Sequence, residues 1–261
     1  MNFPIGYKKS LTRNTYVNTQ NEIIRLEKVS VKYRLPSERI GTFKEYIIRL
    51  LQRKIHFSSF WALHEVDLTV YSGEVFGIIG KNGAGKSTML KVISRVLRPT
   101  EGRVIVYGKI APLLELGAGF HPELTGRENI YLNGSLLGYS RSEMNDCFKS
   151  ILDFSELHDF IDAPIRTYST GMYTRLGFAV ATAHQPDILI IDEVLGVGDE
   201  AFQHKCADRI DQFRKNGTTI LLVSHSMDPI KELCQRVAWI NHGKIIVVGE
   251  PDQVISAYRE I

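Results

Sequence analysis

Apolar residues change their spacing several times along the chain, and each change marks an element. Ile23, Ile24, Leu26, Val29 and Val31 give residues 22–33 a strand-like pattern. Residues 66–70 alternate as an edge strand, Tyr71-Ser72-Gly73 makes a turn, and the unbroken apolar run 75–79 fits a strand buried on both faces. A glycine-rich stretch follows, then a helix from Lys86 to about Val96, closed by Arg98-Pro99-Thr100-Glu101-Gly102. Residues 104–107 form a short strand, and 121–183 carry mainly helical spacing. Two further apolar runs, 188–191 and 220–223, flank a helix-like 200–215. Residues 238–240 and 244–248, joined by Asn241-His242-Gly243, read as a hairpin. This strand–helix–strand alternation predicts an α/β fold with a mostly parallel sheet covered by helices.

Two stretches stand apart from that alternation. Residues 1–20, rich in Asn, Thr and Lys, read as a flexible leader, and 251–261 as a short C-terminal helix or tail. Residues 34–60 look like an insertion. Within it Phe43, Tyr46, Ile47, Leu50 and Leu51 form one apolar stripe at helical spacing, with Lys44, Arg49, Arg53 and Lys54 elsewhere on the helix. A basic amphipathic helix over 42–55 can lie on an anionic membrane, dock on a partner or pack on its own domain.

Composition narrows the picture only a little. The 261 residues are 44% hydrophobic and 23% charged, enough for a sizeable core. A net charge of +3 does not suggest a nucleic-acid binder, whose basic residues would be more numerous and more clustered. Cys147, Cys206 and Cys234 lie too far apart for close metal-ligand pairs and read as reduced thiols. Residues 1–20 lack the apolar core of a signal peptide, and no apolar run could span a bilayer. Any work at a membrane would be done from outside the lipid.

The chemistry begins at Gly80-Lys81-Asn82-Gly83-Ala84-Gly85-Lys86-Ser87-Thr88. Glycines let a backbone curl so that successive N–H groups face a β-phosphate at the positive end of the following helix. Lys86 would neutralise the β- and γ-phosphates, and the Ser87 hydroxyl would ligate Mg²⁺. The motif sits between a buried strand and a helix, the context it requires, and implies binding of ATP. A second element, Ile188-Leu189-Ile190-Ile191-Asp192-Glu193, is an apolar strand ending in two acids. Asp192 can hold Mg²⁺ through water, and Glu193 is placed to take a proton from the attacking water.

Between them lies Tyr168-Ser169-Thr170-Gly171-Met172, followed by Arg175 and the helical run 176–183. With these pieces in order the chain resembles the nucleotide-binding subunits of ABC transporters, whose signature loop usually reads Leu-Ser-Gly-Gly-Gln. Ser169 and Gly171 match it. Tyr168, Thr170 and Met172 depart from it, and Thr170 puts a side chain where the family usually has none. The resemblance implies that Ser169, Thr170 and Gly171 meet ATP bound to a second copy. Without that context Ser169 or Thr170 would read simply as a helix N-cap. The resemblance also implies a γ-phosphate contact for His225, a place between subunits for Asp199, and an adenine-stacking role for Tyr33. Phe60 and Trp61 compete with Tyr33 for that role. The fold implied is a P-loop NTPase of ABC type over residues 21–250: a RecA-like sheet, a helical signature subdomain near 121–183 and a small antiparallel β region.

One family feature is missing. No glutamine occurs between Gln52 and Gln185, although the family usually has one touching Mg²⁺ and sensing the membrane partner. Glu115 is the nearest candidate.

Glu115 to Asn133, the Tyr-Ser-Thr-Gly-Met signature and Gly198-Asp199-Glu200-Ala201-Phe202-Gln203 with Cys206 are similar to the ATPase subunits that export bacterial surface polysaccharides. That likeness implies a homodimeric ATPase on the cytoplasmic face of the plasma membrane, attached through a dimeric permease. It would drive export of lipid-linked O-antigen, capsule or teichoic acid, with no nucleic-acid partner. An ABC ATPase of another transporter, or a soluble one acting on ribosomes or DNA, is the alternative. Soluble members usually carry two nucleotide domains or long coiled coils, which this chain lacks. A non-catalytic regulator would have lost Glu193 or Lys86.

Overall fold

A computed structural model describes residues 21–36, 57–114, 116–192, 198–224 and 226–260. The leader at 1–20 and the amphipathic stretch 42–55 lie outside the described residues, as do Glu115, Glu193 and His225.

Two sheets share one helix between them. The first is antiparallel, in the order β2-β1-β4, built from β1 (Glu22–Pro36), β2 (Phe57–Tyr71) and β4 (Glu101–Val106). The second has the order β5-β6-β7-β3-β8-β9, from β3 (Val75–Ile79), β5 (Ile110–Pro112), β6 (Ile188–Asp192), β7 (Thr219–Val223), β8 (Arg236–Asn241) and β9 (Lys244–Gly249). Its strands run parallel except for the β8–β9 hairpin. Helix α1 (Lys86–Ile93) lies in the core between the sheets. The opposite face of the larger sheet is covered by α2 (Gly126–Leu136), α3 (Arg141–Ser155), α4 (Thr170–Ala181), α5 (Glu200–Lys215), α6 (Met227–Leu233) and α7 (Pro251–Arg259).

Strand periodicity explains how one sheet serves two cores. Ile188, Ile190, Leu221, Val223, Phe76 and Ile78 point to the α1 side, while Leu189, Ile191, Ile220, Leu222, Val75 and Ile79 point to the helical side. Successive strand side chains alternate faces, so a strand buried on both needs an unbroken apolar run. That is why these runs were legible in sequence.

Three expectations need correction. The strand expected at 66–70 is the last third of a fifteen-residue strand that begins at Phe57, so β1 and β2 take up both ends of the stretch read as a 34–60 insertion. Lys28 and Glu65 adopt left-handed backbone (φ 46° and 48°), and register shifts interrupt the β1–β2 ladder; such bulges break the two-residue rhythm. Helix α1 ends at Ile93 rather than near Val96. The short strand β5 was not anticipated; three residues are too few to show a period.

Candidate functional site

The phosphate loop is held from beneath by two separate elements. Ala84 accepts from the Gly243 amide at 2.8 Å, and Gly243 in turn accepts from the His64 amide at 2.8 Å, which ties the loop to the β8–β9 turn and to β2. Gly85 has φ 112°, and a Cβ placed there would sit 2.6 Å from the Ala62 carbonyl oxygen, so only glycine fits. Gly83, also left-handed, meets nothing within 4 Å on its open side. The loop therefore packs tightly below and stays open above. Helix α1 starts just after Gly85, its N-cap, with no side-chain cap, so no capping side chain competes with an anion at its positive end.

Lys86 is buried, and its ammonium donates to the carbonyl oxygens of Gly80 at 2.6 Å and Lys81 at 3.1 Å. A charge drawn into the loop this way is poised for phosphate oxygens. Asn82 and Ser87 are exposed, and Thr88 is half-buried.

Asp192 closes β6 opposite Val223 of β7, which pairs with Ile78 of β3, two residues before Gly80. Two strand steps of about 4.8 Å separate the carboxylate's backbone from the strand feeding the loop. A hydroxyl and a carboxylate across such a gap suit a small hard cation that keeps several waters. Ser87 and Asp192 fit Mg²⁺ by that chemistry. Among the described residues no cluster of three or more His, Cys, Asp or Glu offers a complete protein-built metal site.

The signature lies elsewhere, along a cavity of about 840 Å³ whose walls include Ser169, Thr170, Gly171, Arg175 and Asp199. Ser169 is the N-cap of α4, accepting from the Met172 amide at 3.2 Å, and exposed Thr170 and half-buried Gly171 begin its first turn. The capping role weighed against the signature role is thus real, and it presents the serine and glycine to the cavity. Tyr168 donates to the Phe160 carbonyl at 2.7 Å, and burial pushes its phenol up to about 12. Asp199 caps α5 through the Phe202 amide at 2.9 Å, and that bond, with Arg175 beside it, holds the carboxyl below the ordinary range.

Among the three aromatic candidates the structure separates two from one. Tyr33 and Phe60 are cross-strand partners with ring centroids 5.6 Å apart, and Tyr33 packs against the core that includes Ala84 of the loop. Trp61 pairs instead with Lys32, whose ammonium sits 5.0 Å from its ring, and with His64.

Sequence reasoning missed Asn129, whose fully buried amide donates to the carbonyls of His121, Leu124 and Thr125 and accepts from the His121 amide. It shapes the turn leading into α2. A buried asparagine among apolar helical positions is the signal that could have found it, because such a group must be satisfied by the chain around it.

The family profile of the ABC transporter matches residues 63–196. An O-antigen export system ATP-binding protein, RfbB of Klebsiella pneumoniae, is 51% identical over 199 residues, covering 76% of this chain and 81% of its own. A teichoic acids export ATP-binding protein, TagH of Listeria monocytogenes, is 40% identical over 241 residues, covering 92% of this chain and 71% of its own. The dimeric, ADP- and Pi-bound ATP-binding cassette MJ0796 superposes with a TM-score of 0.65 at 22% identity, over 87% of this chain and 98% of that one. This chain therefore belongs to the ABC transporter family, as one of its ATP-binding, ATP-hydrolysing subunits.

Proposed function

We propose that the chain powers export of a lipid-linked cell-surface polysaccharide (O-antigen, teichoic acid or capsule) through a separate dimeric permease, from the cytoplasmic face of the bacterial plasma membrane. The observation that carries this reading is the likeness to proteins named for O-antigen and teichoic acid export, at 51% and 40% identity over 76% and 92% of the chain. No helix among the described residues is long and apolar enough to cross a membrane.

In this reading two copies face each other, and each ATP lies between the phosphate loop of one and Ser169, Thr170 and Gly171 of the other. The backbone of Gly80, Asn82, Gly83, Ala84 and Gly85 and the hydroxyl of Thr88 cradle the phosphates. Lys86 leaves the carbonyls of its own loop for the β- and γ-phosphates. Ser87 and Asp192 would hold Mg²⁺, which would neutralise developing phosphate charge, and Glu115 is the candidate to stand in for the family's glutamine beside it. Glu193 takes the proton from the attacking water, and His225 stabilises the γ-phosphate. Asp199 stands at the subunit boundary.

Deleting the gene should remove the surface polysaccharide, and the parent gene should restore it. Glu193→Gln should bind ATP, barely turn over and fail to restore the polymer. An unchanged cell surface after deletion would remove the export assignment. Normal turnover by the variant would remove Glu193 from its role.

A further inference from the structure

The backbone strap between β5 and α2 lies between two cavities and is fastened to three elements. Leu114 and Leu116 line both the signature cavity and a separate groove of about 650 Å³ on the strap's far side. At its start, the Leu113 amide donates to Ile190 of β6 at 2.8 Å, two residues before Asp192. Near its end, Asn133 of α2 donates to the Ala118 carbonyl at 2.8 Å.

The fastening to α4 is the most elaborate. Tyr173, in the first turn after Ser169, donates its hydroxyl to the Gly117 carbonyl at 2.8 Å. That carbonyl also accepts from the Phe120 amide at 2.8 Å, which closes a turn. Phe120 packs edge-on to the Tyr173 ring, centroids 5.2 Å apart. One helical turn further on, Gly177 lets the strap lie directly on α4: a Cβ there would sit 2.6 Å from the Gly117 amide nitrogen. The strap is thus clasped between positions 173 and 177, which share one helix face.

We propose that Tyr173 is a positioning residue that makes the strap and the signature move as one piece. When the first turn of α4 engages a nucleotide, residues 116–120 of the strap follow through the Tyr173–Gly117 bond. The link passes through the Gly117 carbonyl and the Tyr173 hydroxyl. The proposal rests on the ATP-dependent pairing of two copies described above.

Amide hydrogen exchange on the full chain, with and without Mg²⁺ and a non-hydrolysable ATP analogue, tests it. In the parent the analogue should slow exchange at 80–88, at 169–173 and at 116–120 together. Tyr173→Phe keeps the ring on Phe120 and removes one hydrogen bond, so the strap should exchange about two- to tenfold faster without nucleotide. With the analogue, 169–173 should still slow in this variant while 116–120 no longer follows. Asn133→Ala releases the strap from α2 instead, and its strap should loosen yet still respond to the analogue.

A parent whose strap ignores the analogue while 169–173 slows overturns the proposal. So does a Tyr173→Phe strap that responds as the parent's does. If 80–88 of the parent ignores the analogue, the ATP-binding site assignment itself falls, and that is seen before any variant is compared.

Discussion

Arg175 donates to the Asp199 carboxylate at 2.6 Å, joining the helix that carries the signature to the cap of the helix beyond the acidic strand. The same guanidinium donates to Glu156 at 2.8 Å and lies over the Phe202 ring, 4.9 Å from its centroid. Glu156 accepts from Lys205 as well, which with Arg175 holds its carboxyl below the ordinary range. One planar cation thus fixes the relative position of Ser169 and Asp199.

Arg175→Lys keeps a charge and an aliphatic stem but cannot hold two carboxylates in one plane. Steady-state ATPase activity should fall by about tenfold, roughly 1.4 kcal/mol in barrier. The thermal midpoint should hardly move, since ion pairs to exposed carboxylates are worth about 0–1 kcal/mol. Parallel rate assays and thermal melts check both halves.

The adenine platform should depend on Tyr33 and Phe60 and not on Trp61. Alanine at either of the first two should cost about 1 kcal/mol or more of ATP affinity, as base–aromatic stacking does. Trp61→Ala should leave affinity within about twofold, because its ring is engaged with Lys32 and His64. Titration calorimetry with ATP and with inorganic triphosphate separates base contacts from phosphate contacts.

Gly85→Ala should be more damaging than its size suggests. The new Cβ would press on the Ala62 carbonyl at 2.6 Å in a left-handed backbone, a strain of about 1–3 kcal/mol. We expect a lower melting temperature together with lost ATP binding. Lys86→Ala should lose binding of ATP while retaining a folded far-ultraviolet spectrum, which tells a shape defect from a charge defect.

Glu143 caps α3: it accepts from the Ser140 amide at 2.7 Å and from Lys109, and these bonds draw its carboxyl from 4.5 down to about 2. A depressed folded value stabilises the fold above the unfolded value and stops doing so as pH falls through the folded one. The stability gap between parent and Glu143→Gln in urea unfolding should be widest near neutral pH. It should narrow as pH drops below about 4.5 toward 2. A gap that grows on acidification would contradict the assignment.

Much of the site was legible because phosphate chemistry constrains the backbone locally. The loop at 80–88 needs its glycines, lysine and serine at fixed spacing, and the buried strands on either side of it need unbroken apolar runs. The Tyr173 clasp, the Arg175 bridge and the satisfied Asn129 were not legible as such. Each joins residues from separate elements (Tyr173 to Gly117, Arg175 to both Glu156 and Asp199), and a one-dimensional pattern carries no distance between them. The β1–β2 ladder was read short for a related reason: bulges at Lys28 and Glu65 shift register, and only pairing across the strands restores it.

By itself the sequence determined the kind of fold, the phosphate loop and the acidic strand, because hydrophobic period and loop chemistry are local properties. Tertiary structure decided which partners Tyr33, Phe60 and Trp61 pack against, what fastens the strap at Gly117 and Ala118, and how the signature helix is tied to Asp199. These depend on side chains brought together across strands and helices, where packing and hydrogen-bond geometry, not order along the chain, set the outcome.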